Sequence, residues 1–134
     1  MKRLTSINYS NAAFNVSMLL LRVTAAALVM SHGYDKLIHF AEMKSKFMNF
    51  MGLGSTFSLS LTIFAEFFCA IFLIIGLFSR LVVIPLIINM SVALFMAHGG
   101  DVFGDGEKAT LYLACFITIL LCGPGKASVD GMMR

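Results

Sequence analysis

Two ionisable side chains stand inside long apolar runs, where a charge is least easily solvated. Arg22 interrupts the run LLLRVTAAALVM, and Glu66 interrupts the run SLTIFAEFFCAIFLII. Charged groups at membrane depth are rare, usually face the protein interior or a wet cavity, and often mark a binding site or a proton path. An arginine can donate hydrogen bonds to an anion or a carbonyl, and a glutamate can relay a proton. Both residues are therefore candidates for a ligand site.

Five more polar side chains lie in or beside the apolar runs and complete the candidates for a ligand site or polar core. They are His32, Lys36, Asn89, His98 and Glu107. A metal site needs three or four converging ligands. Two histidines with distant carboxylates do not supply them, so we expect no metal. The residue types and spacing assign no catalytic residue.

The depth of each group follows from a helical rise of about 1.5 Å per residue. Measured from the side that holds the termini, Arg22 lies roughly 10 Å deep and Glu66 roughly 18 Å deep. This separation predicts an ion pair, because an arginine side chain can bridge much of the gap. The pair could serve a substrate, or it could only fix helix register. His32 and His98 share a level near the opposite mouth, where headgroups could equally solvate them.

Apolar residues dominate the composition. Of 134 residues, 59% are hydrophobic and 13% are charged, with a mean hydropathy of +0.90. A soluble domain carries about 25% charged residues, and a small globule could not bury so much apolar surface. We therefore expect a lipid bilayer as the partner and solvent. The basic residues are scattered, which argues against a nucleic-acid partner.

The sequence lacks the groups that would carry electrons. The three cysteines all stand inside apolar runs and form no C-x-x-C pair, so buried hydrophobic roles suit them best. We find no set of haem ligands and no flavin fingerprint. We therefore expect that the chain is not a complete enzyme alone and that no cofactor is evident.

Four apolar segments predict four transmembrane helices, since a bilayer-spanning helix needs about 20 mainly apolar residues. The letters FSRL leave almost no room between the second and third segments, so these two must form an antiparallel hairpin. The predicted fold is an all-α membrane protein, a four-transmembrane-helix antiparallel bundle in one domain over residues 1–134. The predicted spans are about 15–34, 57–78, 81–98 and 107–123.

The segment after the first span predicts an amphipathic helix that lies in the membrane interface between spans one and two. Its apolar residues recur at helical spacing, and polar residues fill the other face. The apolar residues are Phe40, Met43, Phe47, Phe50 and Met51. The polar residues are Glu42, Lys44, Lys46 and Asn49.

Charge in the loops favours cytoplasmic termini. Four antiparallel spans place both termini on one side of the membrane. That side would hold five basic residues and the opposite side four, a narrow margin under the positive-inside rule.

The sequence resembles the DoxX family of small bacterial membrane proteins, which are related to the DoxD-type subunit of thiosulfate:quinone oxidoreductase. The matching features begin with Arg22 and SHGYDKL, followed by EFFCAIFLIIGLFSRL in span two. They continue with His98 after span three and end in GEKATLYLACFITILLCGPGKASVD. The resemblance covers nearly the whole chain and implies a four-helix membrane protein.

By position, the resemblance carries several family residues onto this chain. They are the span-one arginine at Arg22, the helix-end glycine and lysine at Gly33 and Lys36, the span-two glutamate at Glu66, the hairpin arginine at Arg80, and the glutamate before span four at Glu107. The chain departs from the pattern at Ala70 and Ile71, where glycine is expected. This departure puts close helix packing there in question.

The resemblance implies a function linked to redox chemistry. We expect an accessory subunit of a redox system in the bacterial cytoplasmic (inner) membrane, with a redox protein as partner. A quinone or a small sulfur oxyanion would bind near Arg22. Two alternatives remain: a small transporter or channel that assembles as a homo-oligomer, and a membrane scaffold that recruits a soluble redox enzyme.

Overall fold

The computed structural model describes residues 4–47, 52, 54–97, 99–104 and 106–133. Within these ranges the chain is helical and contains no strand. The elements are α1 (Asn11–Ile38), α2 (Phe40–Met43), α3 (Ser55–Ile75), α4 (Ser79–Val92, continued by a π-helical segment at Ala93–Ala97), α5 (Glu107–Cys122) and α6 (Val129–Met132).

Three of the described helices are long and apolar enough to cross a membrane. They are Asn11–Ile38, Ser55–Ile75 and Ser79–Met96, with mean hydropathies of 1.8, 2.3 and 1.9. The fourth apolar helix, α5, has 16 residues and is about 24 Å long, which is shorter than the hydrocarbon core of about 30 Å. The first three predicted spans thus have helices of spanning length, and the fourth has a shorter one.

The long helices pack as a ring in which α1 contacts α3 and α5, while α4 contacts the same two helices from the other side. Small residues of α1, such as Ala25, Ala26 and Val29, are buried against this core at helical spacing. Ala70 is also fully buried, so α3 packs closely even without the glycine expected after Glu66. Many large apolar side chains elsewhere remain exposed, as a lipid environment requires.

A tight turn joins α3 to α4, as the hairpin prediction requires. α3 ends at Gly76, which has the left-handed conformation typical of a helix C-terminus, with φ of 77°. A Cβ atom on Gly76 would lie 3.1 Å from Nη1 of Arg22 and would overlap Ser128. Glycine at this turn therefore lets the C-terminal segment, residues 123–133, pack directly onto the end of α3.

The predicted interfacial helix is shorter than the sequence indicates. α2 covers four residues, and turns follow through Lys46. Just after this helix, the Lys44 carbonyl accepts a 2.7 Å hydrogen bond from Ser55 Oγ. Phe40, Met43 and Phe47 are half-buried, while Glu42, Lys44 and Lys46 are exposed, so these residues keep the amphipathic pattern. Asn49, Phe50 and Met51 lie outside the described residues.

The close approach of α1 to α3 predicts that Gly33→Ala lowers the thermal unfolding midpoint in detergent. A Cβ at this position would lie 2.7 Å from the Glu66 carbonyl carbon and 2.8 Å from the Phe67 amide nitrogen. Overpacking of this kind costs about 1–3 kcal/mol, whereas alanine alone would improve helix propensity by about 1 kcal/mol. Circular dichroism melting measures whether the unfolding midpoint falls or rises. Ser31→Ala, at an exposed position of α1, is the control, and a higher midpoint in Gly33→Ala would contradict the close approach.

Candidate functional site: a buried lysine, glutamate and asparagine

Glu66 is the centre of a polar cluster that joins three helices. It is 5% exposed and lies in the π-helical segment Phe64–Cys69 of α3. Its Oε1 accepts a hydrogen bond from Lys36 Nζ at 2.5 Å, and its Oε2 accepts one from Asn89 Nδ2 at 2.8 Å. Both carboxylate oxygens therefore have a partner inside the protein, one from α1 and one from α4.

The sequence of α1 explains why Lys36 reaches Glu66. Gly33 has no side chain to hold the two helices apart, so α1 contacts the backbone of α3 at Glu66 and Phe67. Lys36 follows three residues later and therefore shares this face of the helix. Its flexible stem lets the ammonium group reach inward from near the helix end.

Glu66 lies in a segment of α3 where the helical geometry changes from α to π. Such segments are rare, are usually single turns inserted in an α-helix, and occur often at functional sites. One turn with wider spacing changes the direction of the side chains that follow it. Here the segment contains the one acidic side chain of α3, and a second π-helical segment, Ala93–Ala97, continues α4 just after the turn that carries Asn89.

Charge is balanced within the cluster, but its donors are not all used. Lys36 and Glu66 form an ion pair, with 21% of the lysine side chain and 7% of the glutamate side chain exposed. An ammonium group has three donors, and an amide has two. In the described part of the chain, Lys36 Nζ and Asn89 Nδ2 each make one hydrogen bond, both to Glu66. Each can therefore donate a further bond to a ligand.

An apolar groove of about 230 Å³ lies between α3 and α4, next to this cluster. The hydroxyl groups along it are already used within α3, since Ser58 Oγ donates to the Gly54 carbonyl and Thr62 Oγ1 to the Ser58 carbonyl. Asn89 also lines the groove and connects it to Glu66. The lining residues are Ser58, Leu61, Thr62, Phe64, Ala65, Pro85, Ile88, Asn89 and Val92.

Arg22 is buried, with 2% of its surface exposed, so the prediction that protein shelters it is confirmed. The predicted ion pair with Glu66 is wrong. Nη1 donates to the Pro124 carbonyl at 2.8 Å, and Nη2 donates to the carbonyls of Ala127 at 2.9 Å and Ile74 at 3.3 Å. The physical reason is that the last carbonyls of a helix lack intrahelical partners, and the end of α3 and the C-terminal segment bring such acceptors to the level of Arg22.

The sequence reasoning missed the role of Asp130 in fixing the C-terminal segment. Its two carboxylate oxygens accept hydrogen bonds from the amides of Phe78 and Ser79, both at 2.8 Å, at the start of α4. A carboxylate at a helix N-terminus satisfies free amides and interacts favourably with the helix dipole. Sequence spacing gives little signal for this contact, because Asp130 lies 51 and 52 positions after the two amides that it binds.

The residues predicted at the opposite mouth do not join the cluster. His32 is exposed, and its ring packs edge-on against Tyr112 at 6.4 Å between centroids. Glu107 is exposed in the first turn of α5, and His98 lies outside the described residues. Just past α1, a hydrogen bond from the His39 ring to the Asp35 carbonyl raises the pKa of His39, and the Asp35 carboxylate adds to the effect.

One comparison with known proteins identifies a family. The family model described as DoxX matches residues 17–99, which is 83 of the 134 positions. The match includes Arg22, Lys36, Glu66 and Asn89, and it ends before Glu107 and the C-terminal segment. No curated protein matches the chain, and no solved structure matches it.

The contacts of Glu66 predict coupling with Lys36 and none with Arg22. Lys36→Met alone should lower the free energy of unfolding by about 3–5 kcal/mol, because it leaves a buried carboxylate without its counter-charge. The same change in a Glu66→Gln background should cost at least about 1 kcal/mol less. Arg22→Leu and Glu66→Gln should instead be additive within about 0.5 kcal/mol. Reversible unfolding in mixed micelles measures both cycles, and the opposite pattern would restore the Arg22–Glu66 pair.

The contacts of Arg22 predict that Arg22→Leu releases the C-terminal segment. Hydrogen bonds to charged groups contribute about 1.5–3 kcal/mol each, so the loss of even one should increase opening of the segment by about tenfold or more. Trypsin cleavage after the exposed Lys126, followed by mass spectrometry of the released peptide, measures this opening. Glu66→Gln is the control and should leave the rate unchanged. Equal rates in Arg22→Leu and the unmodified chain would show that these hydrogen bonds do not hold the C-terminal segment in place.

Proposed function

The chain belongs to the DoxX family, and we propose that this multi-pass membrane protein is an accessory subunit of a membrane redox system that binds a quinone beside Glu66. The observation that supports this proposal is the apolar groove between α3 and α4, which Asn89 connects to the Lys36–Glu66 ion pair. Ligand sites are typically apolar clefts with a few polar groups that fix orientation, and this groove has that composition.

The size of the groove suits one part of a quinone. A volume of about 230 Å³ is below the range of about 300–1,000 Å³ found for pockets that enclose a drug-sized ligand. It is large enough for the ring, while the isoprenoid tail would remain among lipid chains. The remaining N–H of the Asn89 amide would donate to a quinone carbonyl. A ligand of this class reaches the groove through the membrane, so no aqueous entrance is needed.

Lys36 and Glu66 would supply protons to the bound quinone. Reduction of a quinone to a quinol takes up two electrons and two protons. We propose that a redox protein partner supplies the electrons, since the sequence offers no group to carry them. The partly exposed Lys36 side chain would exchange protons with water and pass them to Glu66 through their hydrogen bond. A water molecule beside Asn89, which links Glu66 to the groove, would carry each proton from Glu66 to a quinone oxygen. A charged pair at membrane depth suits this role.

Arg22 has a different role in this proposal from the one its sequence position suggests. Its Nη atoms donate to three backbone carbonyls, so we do not propose a sulfur oxyanion at this side chain. These bonds also hold Arg22 within a packed interface rather than along a channel. A transporter would need polar side chains such as Arg22 along its path. The packed position of Arg22 and the apolar groove together favour the redox subunit over the transporter.

The proposal places the protein in the bacterial cytoplasmic membrane with four spans and cytoplasmic termini. α5 would complete the fourth span despite its 16 residues, because local thinning of the bilayer accommodates a short helix at modest cost. The apolar groove would then open toward lipid, between the second and third spans.

The test is binding of ubiquinone with a ten-carbon tail to the protein in nanodiscs, measured by quenching of a reporter fluorophore. Leu61→Trp places a large ring at the lining of the groove and should weaken binding at least about tenfold, a change of about 1.4 kcal/mol. Leu111→Trp is the matched control, because Leu111 is exposed on α5 away from the groove. Asn89→Leu should also weaken binding. Equal affinity in all variants would reject the quinone site.

A further inference from the structure

A second and larger cleft, of about 670 Å³, opens on the side of the protein that holds the termini. It lies between the start of α4 and the C-terminal segment that follows α5. The lining residues are Phe78, Ser79, Arg80, Leu81, Cys122, Gly123, Pro124, Gly125, Lys126, Asp130 and Gly131. This cleft is separate from the groove beside Glu66 and takes no part in the proposed quinone chemistry.

Two cations give the cleft a net positive charge. Arg80 and Lys126 are both exposed, and no ion pair of either is found in the part of the chain that the structure describes. Asp130 contributes one negative charge, so the lining residues sum to +1. The Arg80 guanidinium lies along the backbone of Gly123, where an added Cβ would be 3.2 Å from Nη2. Gly123 therefore leaves room for Arg80 at the cleft wall.

The wall of the cleft also holds a buried hydroxyl group, that of Ser79, for which the described residues offer no hydrogen-bond partner. Ser79 is fully buried, and its Oγ has no hydrogen-bond partner among the described residues. Buried hydroxyl groups are normally satisfied, and an unsatisfied one costs about 1–3 kcal/mol. The amides of Phe78 and Ser79 already bind the Asp130 carboxylate, so the Ser79 hydroxyl is the donor that remains for a ligand at the start of α4. A ligand with acceptor oxygens would satisfy the Ser79 hydroxyl.

Exposed apolar side chains line and flank this charged cleft. Phe78 is 55% exposed and Leu81 is 66% exposed, and both line the cleft. Leu121, next to the lining residue Cys122, is 74% exposed. Cationic and apolar groups side by side at the end of a membrane helix match an amphiphile with an anionic head. Basic pockets between transmembrane helices bind the head groups of anionic lipids for this reason.

We propose that this cleft binds the phosphate head group of an anionic membrane phospholipid. Arg80 and Lys126 contact the phosphate oxygens from the mouth of the cleft, and the Ser79 hydroxyl donates to the head group from its wall. The acyl chains lie along Phe78 and Leu81. The bound lipid thereby joins the hairpin between α3 and α4 to the C-terminal segment.

The experiment uses the delipidated full-length protein in a neutral detergent, with bound lipid counted by native mass spectrometry. Phosphatidylglycerol should bind at least about tenfold more tightly than phosphatidylcholine. Arg80→Gln and Lys126→Gln should each weaken phosphatidylglycerol binding roughly fivefold, and together roughly thirtyfold. The matched control, Lys44→Gln with Lys46→Gln, removes two exposed charges from the loop after α1 and should leave binding unchanged.

Three results would overturn the proposal. Equal binding of phosphatidylcholine would show that only apolar contact matters. Unchanged phosphatidylglycerol binding in the double variant of Arg80 and Lys126 would show that the lipid binds elsewhere. Inorganic phosphate that competes at the same concentration as the lipid would identify a site for a soluble anion instead.

A further variant separates binding from folding. Ser79→Ala removes a hydroxyl that has no partner, so the thermal unfolding midpoint of the lipid-free protein should stay the same or rise. Its affinity for phosphatidylglycerol should fall severalfold. Unchanged affinity in a folded Ser79→Ala protein would remove the buried hydroxyl from the site and contradict the proposed position of the head group.

Discussion

Glu66 sets the central constraint of the structure, because a carboxylate buried among apolar helices must find its partners inside the protein. Lys36 supplies the counter-charge from α1 and Asn89 supplies an amide from α4, so three helices are fixed around one side chain. An ion pair in a low-dielectric interior is costly to break from one side. The same requirement explains the glycine at position 33 of α1 and places the Lys36–Glu66 ion pair next to a groove that opens between helices.

Arg22 meets the same requirement by a different route. Its guanidinium donates to backbone carbonyls at the end of α3 and in the C-terminal segment, while Asp130 accepts hydrogen bonds from amides at the start of α4. The cation Arg22 thus binds a carbonyl at the C-terminal end of α3, and the anion Asp130 binds amides at the N-terminal end of α4. The two polar regions of the protein are chemically distinct: one is a charged pair of side chains, and the other is a clamp in which Arg22 and Asp130 bind backbone groups.

The sequence predicted the four long helices, their approximate bounds and the burial of Arg22, because apolar run length and the cost of a charge in lipid are local properties. It did not predict the partners. Depth estimates from helical rise gave Arg22 and Glu66 a common region, but they ignored the C-terminal segment, whose folded path brings carbonyls closer to Arg22. Lys36 was placed at the helix end, yet its long side chain extends inward. Asp130 caps a helix far from it in sequence, and no spacing rule reveals such a contact.

The clamp around Arg22 can form only late in the synthesis of the chain. The carbonyl acceptors of Pro124 and Ala127 lie 102 and 105 residues after the arginine they bind. During synthesis, the first helix therefore enters the bilayer with a cation whose main acceptors have not yet been translated. These hydrogen bonds can form only after residues 124–127 have been synthesised. A chain that stops before residue 124 would keep the Arg22 guanidinium at membrane depth without these acceptors.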